Sequence, residues 1–577
     1  MDEMTMAQRI AALLKWVAEE YMPPGSGGQV AVPQVARGVP DPQKYVFPKA
    51  LARLHFNPQD TWAQAMVGQF WDKGGDPAPH AASFYHFAAY GLVRLLFAFP
   101  EAVAPHRDAI LQAAMQEEQL FSADGTENHI AMWRTSGYLF AQEAGDARRL
   151  SAMTDWINGY AKRLRENGQG EWDSSTYMTF DVASWLNVRD YAKDAGIRAT
   201  AQQVVDTFAE QMARKYVQGA FAGAEKRGFS KGSADTIAGY NGWLWFGDVP
   251  VPVNNDFFSQ SAIYSVVPAL SPYRPPAATV ELALKRTVTA PKTILIVRPN
   301  YLMTRPGEAE EILYLTSRYG VGSSTKSPIG GWGGGDTQET LWKFVAKGTA
   351  QTGGARVIGG AGAGYAARSK YSGMGRSPWD QVWQQGSVVV QMTCVHRNAD
   401  DLTAEAKALF DQWKQQGNTP KVSWADPVPQ SWAYTTVPAA AAIETVDGVL
   451  LVRMGDVFAG IRPLHGAFTE VPADETKAGQ DRRVFRTESG RGELTGWLYE
   501  FGDESTGSWE SFATLFPAPE RLKVDSLQVT YRPVRGDVVR VSFNPVGTYT
   551  EPEYDWGPQP TWPSGDGHGR VPRPVSS

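Results

Sequence analysis

The chain has 577 residues, of which 20% are charged, and a formal net charge of −6. That length exceeds one ordinary hydrophobic core, so several domains are expected, and the composition is globular rather than disordered. The weak negative charge lacks the basic footprint of a phosphate-backbone binder, which excludes nucleic acid as a main partner.

Cys394 is the single cysteine, so an intrachain disulfide and a cysteine-based zinc site are excluded. It lies in the apolar run SVVVQMTCV and reads as a small buried hydrophobe rather than a reactive thiol. No other metal-ligand cluster and no cofactor motif stands out. At the N-terminus, acidic residues precede the apolar positions, which are spaced as in an amphipathic helix. A secretory signal is therefore not expected. The plain expectation is a cytoplasmic protein, or a secreted one if a leader precedes this chain. No run of about 18 apolar residues is present, so no membrane span is expected.

The first half reads as helices in series. Apolar residues recur at three- and four-residue spacing over Met6–Tyr21, Ala81–Phe99, Arg107–Leu120, Ile130–Glu143, Ala147–Arg165, Thr179–Ala195 and Ala199–Val217. Short turn-rich segments separate them, which makes antiparallel neighbours and predicts a toroid-like helical domain over 1–270. Asp124 or Thr126 can cap the helix after FSADG, and Ser174 or Ser175 the helix after GEWDSS.

From about Ala277 the period changes to short alternating runs, among them KTILIVRP, EEILYLTSRYG, SVVVQMTCVH and VDGVLLVRMGDVFAGIRP. Gly, Pro, Asn and Asp punctuate them, as in an antiparallel β-sandwich, here predicted over 277–550. One helix, ADDLTAEAKALFDQWKQQG, is expected between strands, and the Pro/Gly-rich tail over 551–577 is expected to lack regular structure. The fold class is therefore α+β and multidomain.

Three polar clusters stand where loops enter or leave helices. TENHIAMWRTSGYLF holds Glu127, Asn128, His129, Trp133 and Arg134. An amide, an imidazole and a guanidinium near a helix N-terminus suit a carboxylate, because the donors and the helix dipole both favour an anion. The bland alternative is that Asn128 caps the helix and His129 is an ordinary packed histidine. GQGEWDSSTYMTF holds Glu171, Trp172, Asp173 and Tyr177; its alternative is a cap with a surface tyrosine. GAFAGAEKRGFSKG holds Glu225, Lys226 and Arg227, read as a surface loop at the same rim. In the second half, Tyr314, Tyr319, Trp332 and Gln338 are placed on Gly-rich loops, followed by Arg376, Trp379 and Trp383. Exposed Trp and Tyr suit sugar stacking, although core packing is the commoner fate.

In their order, these motifs resemble the polysaccharide lyases that join an (α/α) toroid to an antiparallel sandwich, the heparinase II/III-like and alginate-lyase group. The likeness is carried by Asn128-His129 at a helix start and by Tyr177 in a Ser/Thr-Tyr segment one helical hairpin later. It is also carried by EEILYLTSRYGVGSS with its Gly-rich loop and Gln, and by VDGVLLVRMGDVFAGIRPL. The resemblance implies that Asn128 and His129 neutralise a uronate carboxylate, that Tyr177 removes the C5 proton, and that Tyr314 or Tyr319 contributes from the sandwich. A tyrosine can act as base only if nearby cations, such as His129 or Arg134, lower its pKa. Trp133, Glu171, Trp172, Arg227, Trp332, Tyr319 and Gln338 are the expected substrate contacts. The expected partner is a polysaccharide or oligosaccharide.

Two other readings stay open. A glycoside hydrolase on a similar scaffold would use paired carboxylates drawn from Glu127, Glu171 and Asp173. A noncatalytic glycan-binding protein would need only the aromatic surface.

Overall fold

The computed structural model describes residues 4–24, 43–71, 83–122, 126–227, 236–248, 257–299, 303, 307, 309–326, 340–348, 356–362, 380–394, 430–473, 481–490, 492–543 and 553–554. The chain divides into two compact units. The first comprises Met1–Glu166, Tyr177–Arg214 and Asp235–Val280; the second comprises Asn167–Thr176, Lys215–Ala234 and Glu281–Ser577.

The first unit is helical. Its main helices are α1 (Met6–Glu19), α2 (Gln43–Phe56), α3 (Thr61–Gly68), α4 (His86–Ala98), α5 (Arg107–Gln116), α6 (Glu127–Ala144), α7 (Ala147–Asn167), α8 (Met178–Tyr191), α9 (Ala195–Lys215) and α10 (Ile237–Phe246). A capping box starts α1: the Thr5 hydroxyl accepts from Gln8 N, and the Gln8 side chain accepts from Thr5 N. Helix α6 ends on Gly145 in the left-handed region, φ 72°.

Helix α6 packs on α4 and α8. Gly137 lets α6 come close to the short helix Gln119–Ser122, because a Cβ at this position would lie 2.5 Å from the Leu120 carbonyl oxygen. Polar groups tie the helices together. Arg94 of α4 pairs with Asp190 of α8 at 2.6 Å, and Asn187 Nδ2 donates to the Tyr90 carbonyl at 2.8 Å. No single helix among the described residues is long and apolar enough to cross a membrane.

Two start signals act differently from expectation. Thr126 is the N-cap of α6, but its hydroxyl accepts from Asn128 Nδ2 at 3.0 Å rather than from the backbone. The N-cap of α8 is Tyr177, not Ser174 or Ser175. Ser174 is drawn away because its hydroxyl donates to the Arg227 carbonyl at 3.0 Å.

The second unit is built from antiparallel sheets. A two-residue hairpin, β1 (Tyr216–Val217) and β2 (Ala220–Phe221), precedes them. The strands that follow are β3 (Lys292–Arg298), β4 (Ala309–Leu315), β5 (Tyr319–Lys326), β6 (Trp342–Ala346), β7 (Arg356–Gly362), β8 (Asp380–Gln385), β9 (Val388–Thr393), β10 (Gln430–Pro438) and β11 (Ala442–Val446). The series continues with β12 (Val449–Met454), β13 (Val457–Pro463), β14 (Phe468–Val471), β15 (Arg482–Gly490), β16 (Thr495–Asp503), β17 (Leu522–Asp525), β18 (Gln528–Tyr531), β19 (Val539–Ser542) and β20 (Glu553–Tyr554).

An eight-stranded sheet runs β14-β15-β10-β7-β6-β5-β4-β3, a six-stranded sheet β11-β12-β13-β16-β9-β8, and a four-stranded sheet β17-β18-β19-β20. Alternation sorts the side chains of the six-stranded sheet into two cores. Leu450, Val452 and Met454 face Tyr319, Phe344 and Phe485 of the eight-stranded sheet, with Phe344 and Phe501 stacked at 4.1 Å. Val449, Leu451 and Phe458 turn the other way, toward Phe512, Val529, Tyr531 and Val541. Cys394 is buried in this second core.

Some expectations fall elsewhere. The segment expected as a helix over 399–417 lies outside the described residues. Of the tail, Glu553–Tyr554 pairs with Val541–Ser542 as a short strand, where no regular structure was expected.

Candidate functional site

In the helical unit, the cluster predicted around Asn128-His129 gathers on one aromatic ring, Phe87. His129, half-buried on the first turn of α6, lies 5.6 Å from that ring, edge-on. Tyr177, half-buried at the N-cap of α8, lies nearly parallel to it at 6.5 Å. The ammonium of Lys44, from α2, stands 4.0 Å over the same ring and 5.4 Å over Tyr264. A cation over an aromatic face is held by the ring quadrupole, which presents the charge at a fixed place.

His86, the first residue of α4, completes the group. It stacks on His129 with centroids 3.7 Å apart and planes at 29°, and stands edge-on to Trp133 at 4.7 Å. Trp133 is buried, and its indole N–H donates to the Phe84 carbonyl at 2.9 Å, so it supports the imidazoles from beneath. The predicted sugar contact at Trp133 is corrected to this supporting position.

Glu127 and Asn128 are buried at the base of the cluster. Glu127 Oε1 accepts from the Tyr160 hydroxyl at 2.6 Å, and Asn128 bonds Thr126. The Arg134 guanidinium lies over Trp156 at 5.7 Å, and Trp156 stacks on Trp185 at 5.8 Å. Nothing in the sequence analysis above points to His86 or Lys44. A His at a helix start between Tyr85 and Phe87 was the available signal for one; α2, which carries Lys44, gave none.

The second predicted cluster divides. Tyr177 belongs to the helical unit, whereas Glu171, Trp172 and Asp173 belong to the sheet unit together with Glu225, Lys226 and Arg227. There they are buried among strands. Lys215 Nζ reaches Asp173 Oδ2 at 2.7 Å and Glu311 Oε1 at 2.6 Å, and donates to the Ala224 carbonyl at 2.5 Å. Arg298 bonds Asp173 and approaches Glu311 Oε2 at 3.3 Å. Arg227 Nε meets Glu171 Oε1 at 2.6 Å, and Lys343 pairs with Glu225.

Four acids thus face four bases inside the protein, where each charge is tolerable only because it is paired. Asp173 and Arg227 adopt left-handed backbone, φ 55° and 52°, to place these side chains. Glu225 also pairs main chain to main chain with Thr340, with both hydrogen bonds at 3.0 Å. The surface loop expected around Arg227 and the sugar platform expected at Trp172 are therefore corrected. Arg227 is 7% exposed, and Trp172, at 2%, carries the Lys215 and Arg298 cations over its ring at 5.7 and 5.5 Å.

Burial raises the Glu311 carboxyl above its ordinary value, against the pull of Lys215 and Arg298, and pushes Lys343 well below the usual ammonium range.

Tyr314 and Tyr319 lie in strands β4 and β5, not on loops, because both flank a tight hairpin whose turn is closed by Thr316. Tyr319 is core, 1% exposed. Burial raises both phenols, Tyr319 strongly, which weighs against either as a base. Trp383 is likewise core, on β8. Trp332, Gln338, Arg376 and Trp379 lie outside the described residues. No group of three or more metal-ligating side chains occurs among the described residues.

No protein-family model and no curated protein matches the chain. Among solved structures it is similar to a crystal structure of heparinase III, at 8% identity over 94% of this chain and 91% of that one, with a TM-score of 0.38. It is also similar to a second heparinase III, at 10% identity over 93% and 90% of the two chains, with a TM-score of 0.39.

Proposed function

We propose that the chain is a polysaccharide lyase that cleaves a uronic-acid-containing glycan by β-elimination, with a toroid-like helical domain and a β-sandwich domain. The observation that carries this reading is the convergence of Tyr177, His129 and Lys44 on Phe87.

β-Elimination needs the uronate carboxylate neutralised, so that the neighbouring C5–H becomes acidic. Lys44 and His129 are cationic or hydrogen-bonding groups suited to that task. Tyr177, as its phenolate, then takes the C5 proton, the C4–O bond breaks, and the phenol so formed returns the proton to the leaving oxygen. The products are a chain with an unsaturated uronate and a chain with a new reducing end. Asn128, fully buried, acts as a positioning residue that fixes the start of α6 through Thr126.

The hydrolase alternative needs a carboxyl able to protonate a leaving oxygen and a second to activate water. Glu171 and Asp173 are each buried in an ion pair with a guanidinium, and Glu127 accepts from the Tyr160 hydroxyl; each carboxyl thus already has a structural partner, which favours the lyase reading.

The test is a panel of uronate-containing and neutral glycans. Products are followed by ultraviolet absorbance of the unsaturated uronate and by reducing ends. Both signals rise together for a lyase; reducing ends alone would assign a hydrolase.

A further inference from the structure

The sheet unit contains a cavity of about 320 Å³ at one end of the six-stranded sheet. Six segments wall it: the hairpins β4–β5 and β8–β9, the start of β13, the end of β16 with the turn after it, the helix Trp509–Leu515, and the turn over 533–539. Its size is at the low end of small-ligand sites, enough for one or two sugar rings.

The lining has two characters. The half-buried ring of Tyr314 is the accessible aromatic surface, backed by the core rings Tyr319, Phe458 and Phe512. Gln385 supplies a neutral amide, beside Ser387 and a Thr506 hydroxyl that is bonded to Asp503. One accessible ring beside a neutral amide suits a pyranose, whose C–H face stacks on an aromatic ring while its hydroxyls bond laterally.

Charge narrows the choice. The lining carries one cation, Arg535, against two acids, Glu500 and Asp537. Glu500 is already held: Oε2 accepts from the Tyr531 hydroxyl at 2.5 Å and Val534 N at 2.9 Å, and Oε1 from Arg535 N at 3.3 Å. An anionic ligand therefore meets no excess of positive charge, in contrast with the Lys44–His129 cluster of the helical unit. Arg535 and Asp537 are exposed and stand at the mouth.

We infer that this cavity is a second carbohydrate-binding site, which takes a neutral hexose or a short neutral oligosaccharide. Binding there is independent of whether the helical unit performs elimination.

The experiment uses the full chain, titrated with glucose, galactose, mannose, N-acetylglucosamine and cellobiose, and with glucuronate as the charged control. Saturation-transfer NMR and calorimetry are the readouts. At least one neutral sugar should saturate with a Kd of about 0.1–10 mM, and glucuronate should bind at least about tenfold more weakly. Gln385→Trp, which fills the cavity, and Tyr314→Ala, which removes a wall, should each weaken binding at least about tenfold, whereas His129→Ala should leave this binding unaltered. If Gln385→Trp fails to fold, Arg535→Ala at the exposed mouth is read in its place and should shift the affinity. The inference is overturned if no neutral sugar saturates, if glucuronate binds as tightly, if the cavity variants bind like wild type, or if His129→Ala abolishes the binding.

Discussion

His86 and His129 lie face to face, with ring centroids 3.7 Å apart, although they enter from different helices 43 positions apart in sequence. His86 is 3% exposed and His129 half-buried, so one imidazole forms the floor on which the other is presented. His129→Ala should therefore lose roughly 10²-fold or more in turnover while the melting temperature changes little. His86→Ala should lower both, because it also opens a hole between His129 and Trp133. Thermal melts beside initial rates separate the two; equal melts and equal rates in both variants would contradict the arrangement.

Asp173 is a structural acid in this account. It bonds both Lys215 and Arg298, and replacing it with Asn removes a buried charge from between two bases. Asp173→Asn should destabilise the chain by about 3–5 kcal/mol, the usual effect of breaking a buried pair. Urea unfolding reads this as a lower midpoint with an unchanged slope. A variant that is inactive yet as stable as wild type would instead mark Asp173 as a reacting carboxyl.

Gly223 sits beside the same cluster at φ 90°, and a Cβ there would lie 2.4 Å from Glu311 Oε1. Gly223→Ala should cost more than about 1 kcal/mol, since the backbone strain and the displaced carboxylate add. Unchanged unfolding by urea would show that the cluster is looser than described.

Lys49 carries a pH dependence of defined sign. It is 1% exposed, and its ammonium donates to the Tyr21 carbonyl. Burial, reinforced by nearby Arg53 and partly opposed by Asp60, lowers it from 10.5 to about 8. Between about pH 8 and pH 10.5 the unfolded chain keeps a proton that the folded chain has released, so this group's contribution to stability rises with pH across that window. Wild type should gain stability relative to Lys49→Met from pH 8 to pH 10. Parallel stability curves for the two proteins would contradict the burial of the amine.

The sequence made some of this legible. Helix α6 shows itself through TENH and its apolar spacing, and Tyr177 through a polar run before an apolar one. Helices α2 and α10 escaped notice. Buried residues line nearly all of α10 and most of α2, which also contains Pro48, so neither displays the one-sided stripe that periodicity detects. Lys44 went unseen with α2. The ion-paired cluster is a different case. Asp173 meets Arg298 across 125 positions and Lys343 meets Glu225 across 118, and no local spacing encodes such pairings. Short polar runs at loop–helix junctions look the same whether they face a substrate or a buried base, so the sequence alone does not separate Glu171, Trp172 and Arg227 from surface positions.

The most direct test of the central claim is the turnover of Tyr177→Phe against Glu127→Gln, on whichever uronate polymer the glycan panel selects. Removing one hydroxyl keeps the ring against Phe87, so the fold should hold. Tyr177→Phe is expected to lose at least about 10²–10⁴-fold in formation of unsaturated product, whereas Glu127→Gln, which alters a buried partner of Tyr160, retains the greater part of it. Full activity in Tyr177→Phe, together with loss of activity in a well-folded Glu127→Gln, would contradict the lyase reading.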